Sequence, residues 1–167
     1  MLKWEPDLLV GFECCPLPLT TPDPVAGDPG EGLSATLIRP LSRPGGTRAV
    51  LYVHGWNDYF FQRHLADFWA ELGYDFYALD LRRYGRSKAA DQLLGYTGDL
   101  GEYDEELGLA VAELRAGHDR LLLMGHSTGG LIAALYAHDH PGVFDAVVLN
   151  SPWLDLQHGP LARALGS

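Results

Sequence analysis

Four short apolar runs, rich in β-branched and aromatic residues, follow one another along the second part of the chain. They are typical of buried parallel strands and span residues 48–55, 74–82, 120–127 and 144–152. Apolar residues at helical spacing separate them, over residues 60–73, 101–117 and 128–140. This alternation predicts an α/β fold, with a mainly parallel sheet and helices on both of its faces. Ligands of such sheets bind at the carboxyl ends of the strands.

The N-terminal third has a different pattern, with extended apolar stretches and many turn residues. Residues 11–19 and 33–40 are expected to form two strands. Between them lies TPDPVAGDPGEG, residues 21–32, where proline and glycine prevent regular structure. The two strands are therefore predicted to pair antiparallel at the start of the sheet.

The end of the chain leaves the predicted fold unfinished. After the strand at residues 144–152, the remaining segment LDLQHGPLARALGS offers no clear helix to cover that strand. An uncovered strand exposes both a sheet edge and an apolar face. The sequence therefore predicts that residues 1–167 form a single core, the N-terminal part of a longer domain truncated before a lid and the last strands.

Composition and charge narrow the classes of function. The formal net charge is −10, which disfavours binding to nucleic acid and to anionic membranes. No signal-peptide pattern and no run of about 20 apolar residues is present, so we expect a cytoplasmic protein without stable membrane insertion. The cysteines, Cys14 and Cys15, are adjacent and are expected to be free thiols on a strand. Histidines and carboxylates show no metal-ligand spacing, so no metal is expected.

The strongest chemical signal is the five-residue motif Gly125-His126-Ser127-Thr128-Gly129, which fits G-x-S-x-G. It lies between a predicted strand and a predicted helix, which is the context that this motif requires. A serine on such a sharp turn projects above the sheet, and glycines two residues away allow the neighbouring backbone to approach. We therefore predict that Ser127 is a nucleophile. His126 is expected to pack at the turn rather than act as the base.

A second signal is HGWNDYFF, residues 54–61, at the end of the strand expected beside that of Ser127. There the backbone N–H groups of Trp56 and Thr128 could converge on one oxyanion, with His54 and Gly55 supporting the loop. The aromatic side chains of this stretch could line an acyl pocket or be ordinary packing, and the sequence leaves both open.

A third signal is DLRRYGRS, residues 80–87, which follows a predicted strand. Asp80 is expected to brace this loop, and Asp155 is the better-placed candidate for a catalytic acid.

Together, HGWNDY, DLRRYGRS and GHSTGG resemble motifs of the α/β-hydrolase superfamily, over roughly residues 33–153. They are most similar to its lysophospholipase-like and monoacylglycerol-lipase-like serine hydrolases. The resemblance implies a carboxylic ester or lipid substrate and an acyl-enzyme formed at Ser127, without a cofactor. It also implies that the amides of Trp56 and Thr128 form the oxyanion hole.

The chain departs from this pattern at the histidine, which should follow both the serine and the acid. His138 and His140 lie at the far end of the predicted helix after Ser127, and nothing places His158 near the serine. The sequence therefore predicts that the catalytic histidine is absent and that this chain has little or no activity. Two alternatives stay open: a homo-oligomer that covers the exposed sheet edge and supplies a histidine (His158) in trans, and a binding module without catalysis.

Overall fold

The computed structural model describes residues 3–28 and 30–155, which form one seven-stranded sheet with three α-helices. The strands are β1 (Glu5–Pro6), β2 (Phe12–Pro18), β3 (Ser34–Pro40), β4 (Arg48–Val53), β5 (Asp75–Asp80), β6 (Arg120–His126) and β7 (Ala146–Asn150). The helices are α1 (Arg63–Glu71), α2 (Tyr103–Arg115) and α3 (Thr128–Asp139). No helix in this described part of the chain is long and apolar enough to cross a lipid bilayer.

The sheet has the order β1-β2-β3-β5-β4-β6-β7 and is mixed. Strands β4 to β7 are parallel to one another, whereas β2 and β3 pair antiparallel and β3 joins β5 antiparallel. This confirms the predicted α/β class and the antiparallel N-terminal strands. The short β1 was not predicted, because two residues carry no readable alternation.

The helices cover both faces of the sheet, as predicted. On one face, α2 and α3 bury Leu107, Leu114 and Ile132 in the larger hydrophobic core. On the other face, α1 contributes Ala66 and Trp69 to a second core. The central strands β4 and β5 lie between the two cores, and nearly all of their residues are buried because both faces are covered.

Helix α1 begins later than the sequence pattern predicted. The predicted helical stretch starts at Phe60 and its periodic apolar positions at Phe61, but the helix starts at Arg63. The reason is that the Phe60 N–H donates a hydrogen bond to Asp80 at 2.9 Å, which ties this residue to the end of β5. Its fully buried ring packs against aromatic residues of the sheet, Phe12, Tyr52 and Phe76.

The two cysteines lie on β2 with free thiols, as expected. Cys15 is buried and Cys14 is half-buried. Burial raises the pKa of both thiols, which keeps them protonated and unreactive near neutral pH.

Strand β7 lies at the edge of the sheet, and in the described part of the chain it pairs with β6 alone. Val147 and Leu149 are 37% and 39% exposed, unlike the buried residues of β4. The predicted exposed strand edge and apolar face are therefore both present in the described residues.

Candidate active site

Ser127 occupies the sharp turn between β6 and α3, with backbone angles φ 54° and ψ −120°. This region of conformational space is strained for a residue with a side chain, and it persists only where surrounding contacts enforce it. Three backbone hydrogen bonds do so here, one of them from the Gly130 N–H to the Ser127 carbonyl at 3.0 Å. The Ser127 N–H donates to the Asn150 carbonyl at 3.1 Å, and the Trp153 N–H donates to the Ser127 carbonyl at 2.9 Å.

The glycines of the motif are required by close backbone contacts. A Cβ atom on Gly125 would lie 2.3 Å from the Gly129 carbonyl oxygen. One on Gly129 would lie 2.2 Å from the carbonyl oxygen of His54, at the end of β4. These approaches bring the start of α3 against the neighbouring strand and leave no room for a side chain at either glycine.

The loop after β4 passes directly beside the Ser127 side chain. A Cβ atom on Gly55 would lie 3.1 Å from the Ser127 Cβ, because β4 and β6 are parallel neighbours that end together. Trp56 follows in this loop, and Thr128 is the first residue of α3, whose N–H has no acceptor within the helix. The structure thus places Gly55 and Thr128 next to Ser127, with Trp56 following Gly55 in the loop.

A cavity of about 220 Å³ opens at this point, and its walls are mostly apolar. Ser127 is not itself a lining residue, but the neighbouring residues Gly55, Trp56, Thr128 and Trp153 line the cavity. Further lining comes from the segment between β5 and α2, in which Tyr84, Gly95, Thr97, Leu100 and Tyr103 contribute.

The aromatic residues after β4, whose role the sequence left open, have different surroundings in the structure. Trp56 is 64% exposed and lines the cavity beside Ser127. Phe60 is core packing. Tyr59 and Phe61 line a separate cavity of about 500 Å³, together with Leu8 and Leu9.

His54 is a buried structural residue with a defined neutral tautomer. Its Nε2 accepts a hydrogen bond from the Leu81 N–H at 3.1 Å, so Nδ1 carries the proton and donates to the Gly55 carbonyl at 2.7 Å. Burial lowers the pKa of the ring, which disfavours the charged form. His54 therefore joins the ends of β4 and β5 and has no nitrogen free to act as a base.

His126 is half-buried and packs beside the loop after β4. Its Cδ2 is 3.4 Å from the position that a Gly55 Cβ would occupy, which agrees with the prediction that the ring packs at the turn.

Comparison with known proteins identifies the family. The family model described as "Serine aminopeptidase, S33" matches residues 46–166, more than half of the chain. The chain belongs to this family of α/β hydrolases. Both the resemblance inferred from the sequence motifs and the assignment as a hydrolase agree with this match.

Two curated relatives of this hydrolase have lipid-related names. Lysophospholipase L2 of Escherichia coli strain K12 is 36% identical over 85 residues, which cover 48% of this chain and 25% of the relative. Monoacylglycerol lipase of Mycolicibacterium smegmatis is 31% identical over 137 residues, covering 80% of this chain and 47% of the relative. The chain therefore spans less than half the length of both proteins.

Solved structures agree on the fold. The monoacylglycerol lipase of Paleococcus ferrophilus superposes with a TM-score of 0.60 at 28% identity, over 72% of this chain and 46% of that one.

Asp80 braces the loop after β5, as predicted for this hydrolase. The carboxylate is fully buried and accepts hydrogen bonds from the Phe60 N–H at 2.9 Å and from the N–H and guanidinium of Arg86 at 3.1 and 2.8 Å. These contacts occupy both carboxylate oxygens, so Asp80 has a structural role.

The described residues supply no histidine to the serine. None of the histidines in residues 3–28 and 30–155 is hydrogen-bonded to the Ser127 hydroxyl. His138 is exposed, and His140 bonds to Asp104 at 2.8 Å near the C-terminal end of α3. Asp155 is exposed after β7, and His158 lies outside the described residues.

Sequence reasoning missed a set of buried arginines in DLRRYGRS. Arg82 is fully buried and pairs with the buried Glu106 of α2 at 2.7 Å. Arg83 is also fully buried and pairs with Asp23 and Asp28, in the irregular N-terminal segment. The available signal was two consecutive arginines directly after a buried strand, since long charged side chains are rarely buried without partners.

Proposed function

We propose that this hydrolase core cleaves carboxylic esters through an acyl-enzyme at Ser127, with the turn serving as a nucleophile elbow. The observation that carries this proposal is the strained backbone of Ser127 at the start of α3, with the Gly55 loop against its side chain. Strained residues of this kind cluster at functional sites. The names of the two curated relatives also support an ester substrate.

The geometry supports a specific division of roles. The Ser127 oxygen attacks the ester carbonyl carbon and gives its proton to a base, while the carbonyl oxygen becomes an oxyanion. The N–H groups of Trp56 and Thr128 would bind that oxyanion, and the positive end of the α3 dipole adds to the stabilisation. The carbonyl then re-forms, the alcohol leaves with the proton, and water hydrolyses the acyl-serine in a second cycle of the same kind.

The cavity favours an apolar group next to the reacting carbon. Its walls are mostly apolar, with Trp56, Leu100 and Trp153 among the lining residues. An aliphatic acyl chain would bury its surface there at about 0.8 kcal/mol per CH₂. We therefore propose esters of fatty acids, including lipids, as the substrate class.

No histidine of residues 3–28 and 30–155 serves Ser127, and this sets the expected level of activity. Without its base, a triad enzyme retains about 10³–10⁴-fold catalysis over water, from the oxyanion hole and substrate binding. We propose that this chain by itself has weak or no esterase activity. The same observation favours a second candidate, a ligand-binding module in which Ser127 does not react. The open edge of β7 favours a third, a homo-oligomer that supplies the histidine in trans.

Hydrolysis of p-nitrophenyl butyrate, with and without added imidazole, tests these three candidate functions. Imidazole cleaves this ester without protein, so that rate is subtracted. If the base is absent, the remaining imidazole-dependent rate should be present in the native chain and lost in Ser127→Ala. Ser151→Ala is the matched control, since Ser151 is an exposed nearby serine that also has positive φ. Rapid hydrolysis without imidazole would indicate a base supplied in trans. An equal imidazole-dependent rate in native protein and Ser127→Ala would contradict the proposed function.

A further inference from the structure

One wall of the cavity beside Ser127 is formed by an irregular segment, residues 93–98, between β5 and α2. This segment contains no helix or strand, yet Gly95 and Thr97 line the cavity. Because no regular hydrogen-bond ladder holds it, its position depends on contacts with other parts of the chain.

Those contacts come from a buried cluster of three charged residues, Asp23, Asp28 and Arg83, which are 3%, 2% and 0% exposed. The Arg83 guanidinium donates to Asp28 through Nε at 2.8 Å and to Asp23 through Nη1 at 2.5 Å. Its Nη2 donates to the Asp23 main-chain carbonyl at 2.6 Å. We refer to these residues as the Asp23–Asp28–Arg83 cluster.

Both carboxylates of the cluster also bind the backbone of the 93–98 segment, one at each end. Asp28 Oδ2 accepts a hydrogen bond from the Leu93 N–H at 2.9 Å, and Asp23 Oδ1 accepts one from the Gly98 N–H at 3.2 Å. Hydrogen bonds from Arg83, with that from Leu93, lower the pKa of Asp28 well below its usual range. Both ends of the segment are therefore attached to carboxylates of the N-terminal irregular region.

Arg83 holds the middle of the segment. Its Nη1 donates to the Tyr96 carbonyl at 3.1 Å, and its own carbonyl accepts from the Gly95 N–H at 3.1 Å. Arg83 has φ 61°, the left-handed region that a long side chain rarely adopts. Such a backbone conformation persists where surrounding contacts enforce it. Here it allows Arg83 to contact both carboxylates and the 93–98 segment at once.

The next residue connects the segment to the cavity itself. Tyr84 lines the cavity, and its hydroxyl donates to the Gly95 carbonyl at 3.4 Å. A Cβ atom on Gly95 would lie 2.7 Å from that hydroxyl, so the segment and the ring are in close contact. The Tyr84 ring also meets His54 edge to face, with ring centroids 4.7 Å apart.

We propose that the Asp23–Asp28–Arg83 cluster is a set of positioning residues that determines which aliphatic chain lengths the cavity accepts. None of its three members lines the cavity, and each acts through the 93–98 segment. The part of this proposal that concerns substrate specificity rests on the proposed function. The position of the cavity wall does not depend on whether Ser127 reacts.

The variant Asp28→Asn tests the proposal, because the amide keeps the shape but removes the charge and one acceptor. Amide hydrogen exchange at Leu93 and within residues 93–98 should accelerate about tenfold, as expected for the loss of a charge-assisted hydrogen bond. Binding of straight-chain alcohols, from 1-butanol to 1-octanol, is followed by NMR of the Trp56 and Trp153 indoles. In native protein the affinity should rise up to about fourfold per added methylene, and in the variant this increment should be smaller.

Glu105→Gln is the matched control. Glu105 binds the start of the same N-terminal region, through Thr20 and Thr21, and has no hydrogen bond to the 93–98 segment. It should change neither measurement. If Asp28→Asn does not fold, Asp23→Asn replaces it with the same expectations.

Three results would overturn the proposal: unchanged exchange in the 93–98 segment, an unchanged increment per methylene, or no saturable alcohol binding to the native protein. None of these measurements requires a reactive serine. A failure of the positioning role is therefore distinguishable from a failure of Ser127 as a nucleophile.

Discussion

At the residue scale, the site depends on backbone atoms that approach more closely than any side chain would allow. Gly125 and Gly129 permit the start of α3 to contact the end of β4, and Ser127 is held at positive φ between them. This part could be predicted from the sequence, because the motif is local and its spacing follows directly from steric limits.

The glycine requirement predicts the effect of Gly129→Ala. Its methyl group would lie 2.2 Å from the His54 carbonyl, so the turn must shift. We expect a loss of about 1–3 kcal/mol in the free energy of unfolding, measured by urea denaturation. Gly108→Ala in α2 is the control, because a Cβ there meets no atom within 4 Å. That control should raise stability by up to about 1 kcal/mol. Equal effects of the two substitutions would contradict the steric account.

The buried ion pairs are also residue-scale features, but the sequence did not reveal them. Arg83 meets its carboxylates across 55 and 60 residues of chain, and no local pattern encodes such a pairing. Burial of these charges becomes visible only when the fold brings the irregular N-terminal region against the loop after β5.

At the element scale, the parallel strands and the three helices were predictable because short continuous apolar runs alternate with longer segments typical of helices. The boundaries of these elements were less predictable. The first predicted turn of α1 is not helical, because the Phe60 N–H donates a hydrogen bond to Asp80. The wall formed by residues 93–98 was not predictable at all, since a segment without periodicity takes its shape from distant partners.

Helix α2 is attached to the loop after β5 by the buried pair of Arg82 and Glu106. Glu106 accepts from the Arg82 N–H at 3.0 Å and from its guanidinium at 2.9 and 2.7 Å. Glu106→Leu would leave the arginine without this partner and should cost about 3–5 kcal/mol. Thermal and urea unfolding of this variant would measure the loss. Glu113→Leu is the control, because Glu113 is half-buried on the same helix, and it should change stability far less. A comparable loss in both variants would contradict the role of the pair.

At the scale of the whole molecule, the exposed edge of the sheet in residues 3–28 and 30–155 is the main feature. Strand β7 has a neighbour on one side in the described residues, and its apolar side chains are partly exposed. The two curated relatives are more than twice as long as the part that matches this chain. Sequence patterning predicted this exposed edge, because no clear helical pattern was recognised after the last apolar run.

An open apolar edge predicts self-association of the chain in solution. Val147→Lys should weaken it, because an edge charge opposes pairing between strands. Sedimentation velocity over a range of protein concentrations would show the change. Leu109→Lys on α2, where Leu109 has a similar exposure of 39%, is the control and should leave association unchanged. Association that both substitutions reduce equally would not come from β7.

The most direct test of the central claim is labelling of the native chain with a fluorophosphonate probe, followed by mass spectrometry to locate the modified residue. We expect slow modification at Ser127, which is lost in Ser127→Ala and retained in Ser151→Ala, because Ser127 is positioned for reaction but lacks a base among the described residues. Labelling that persists in Ser127→Ala would contradict the assignment of the nucleophile.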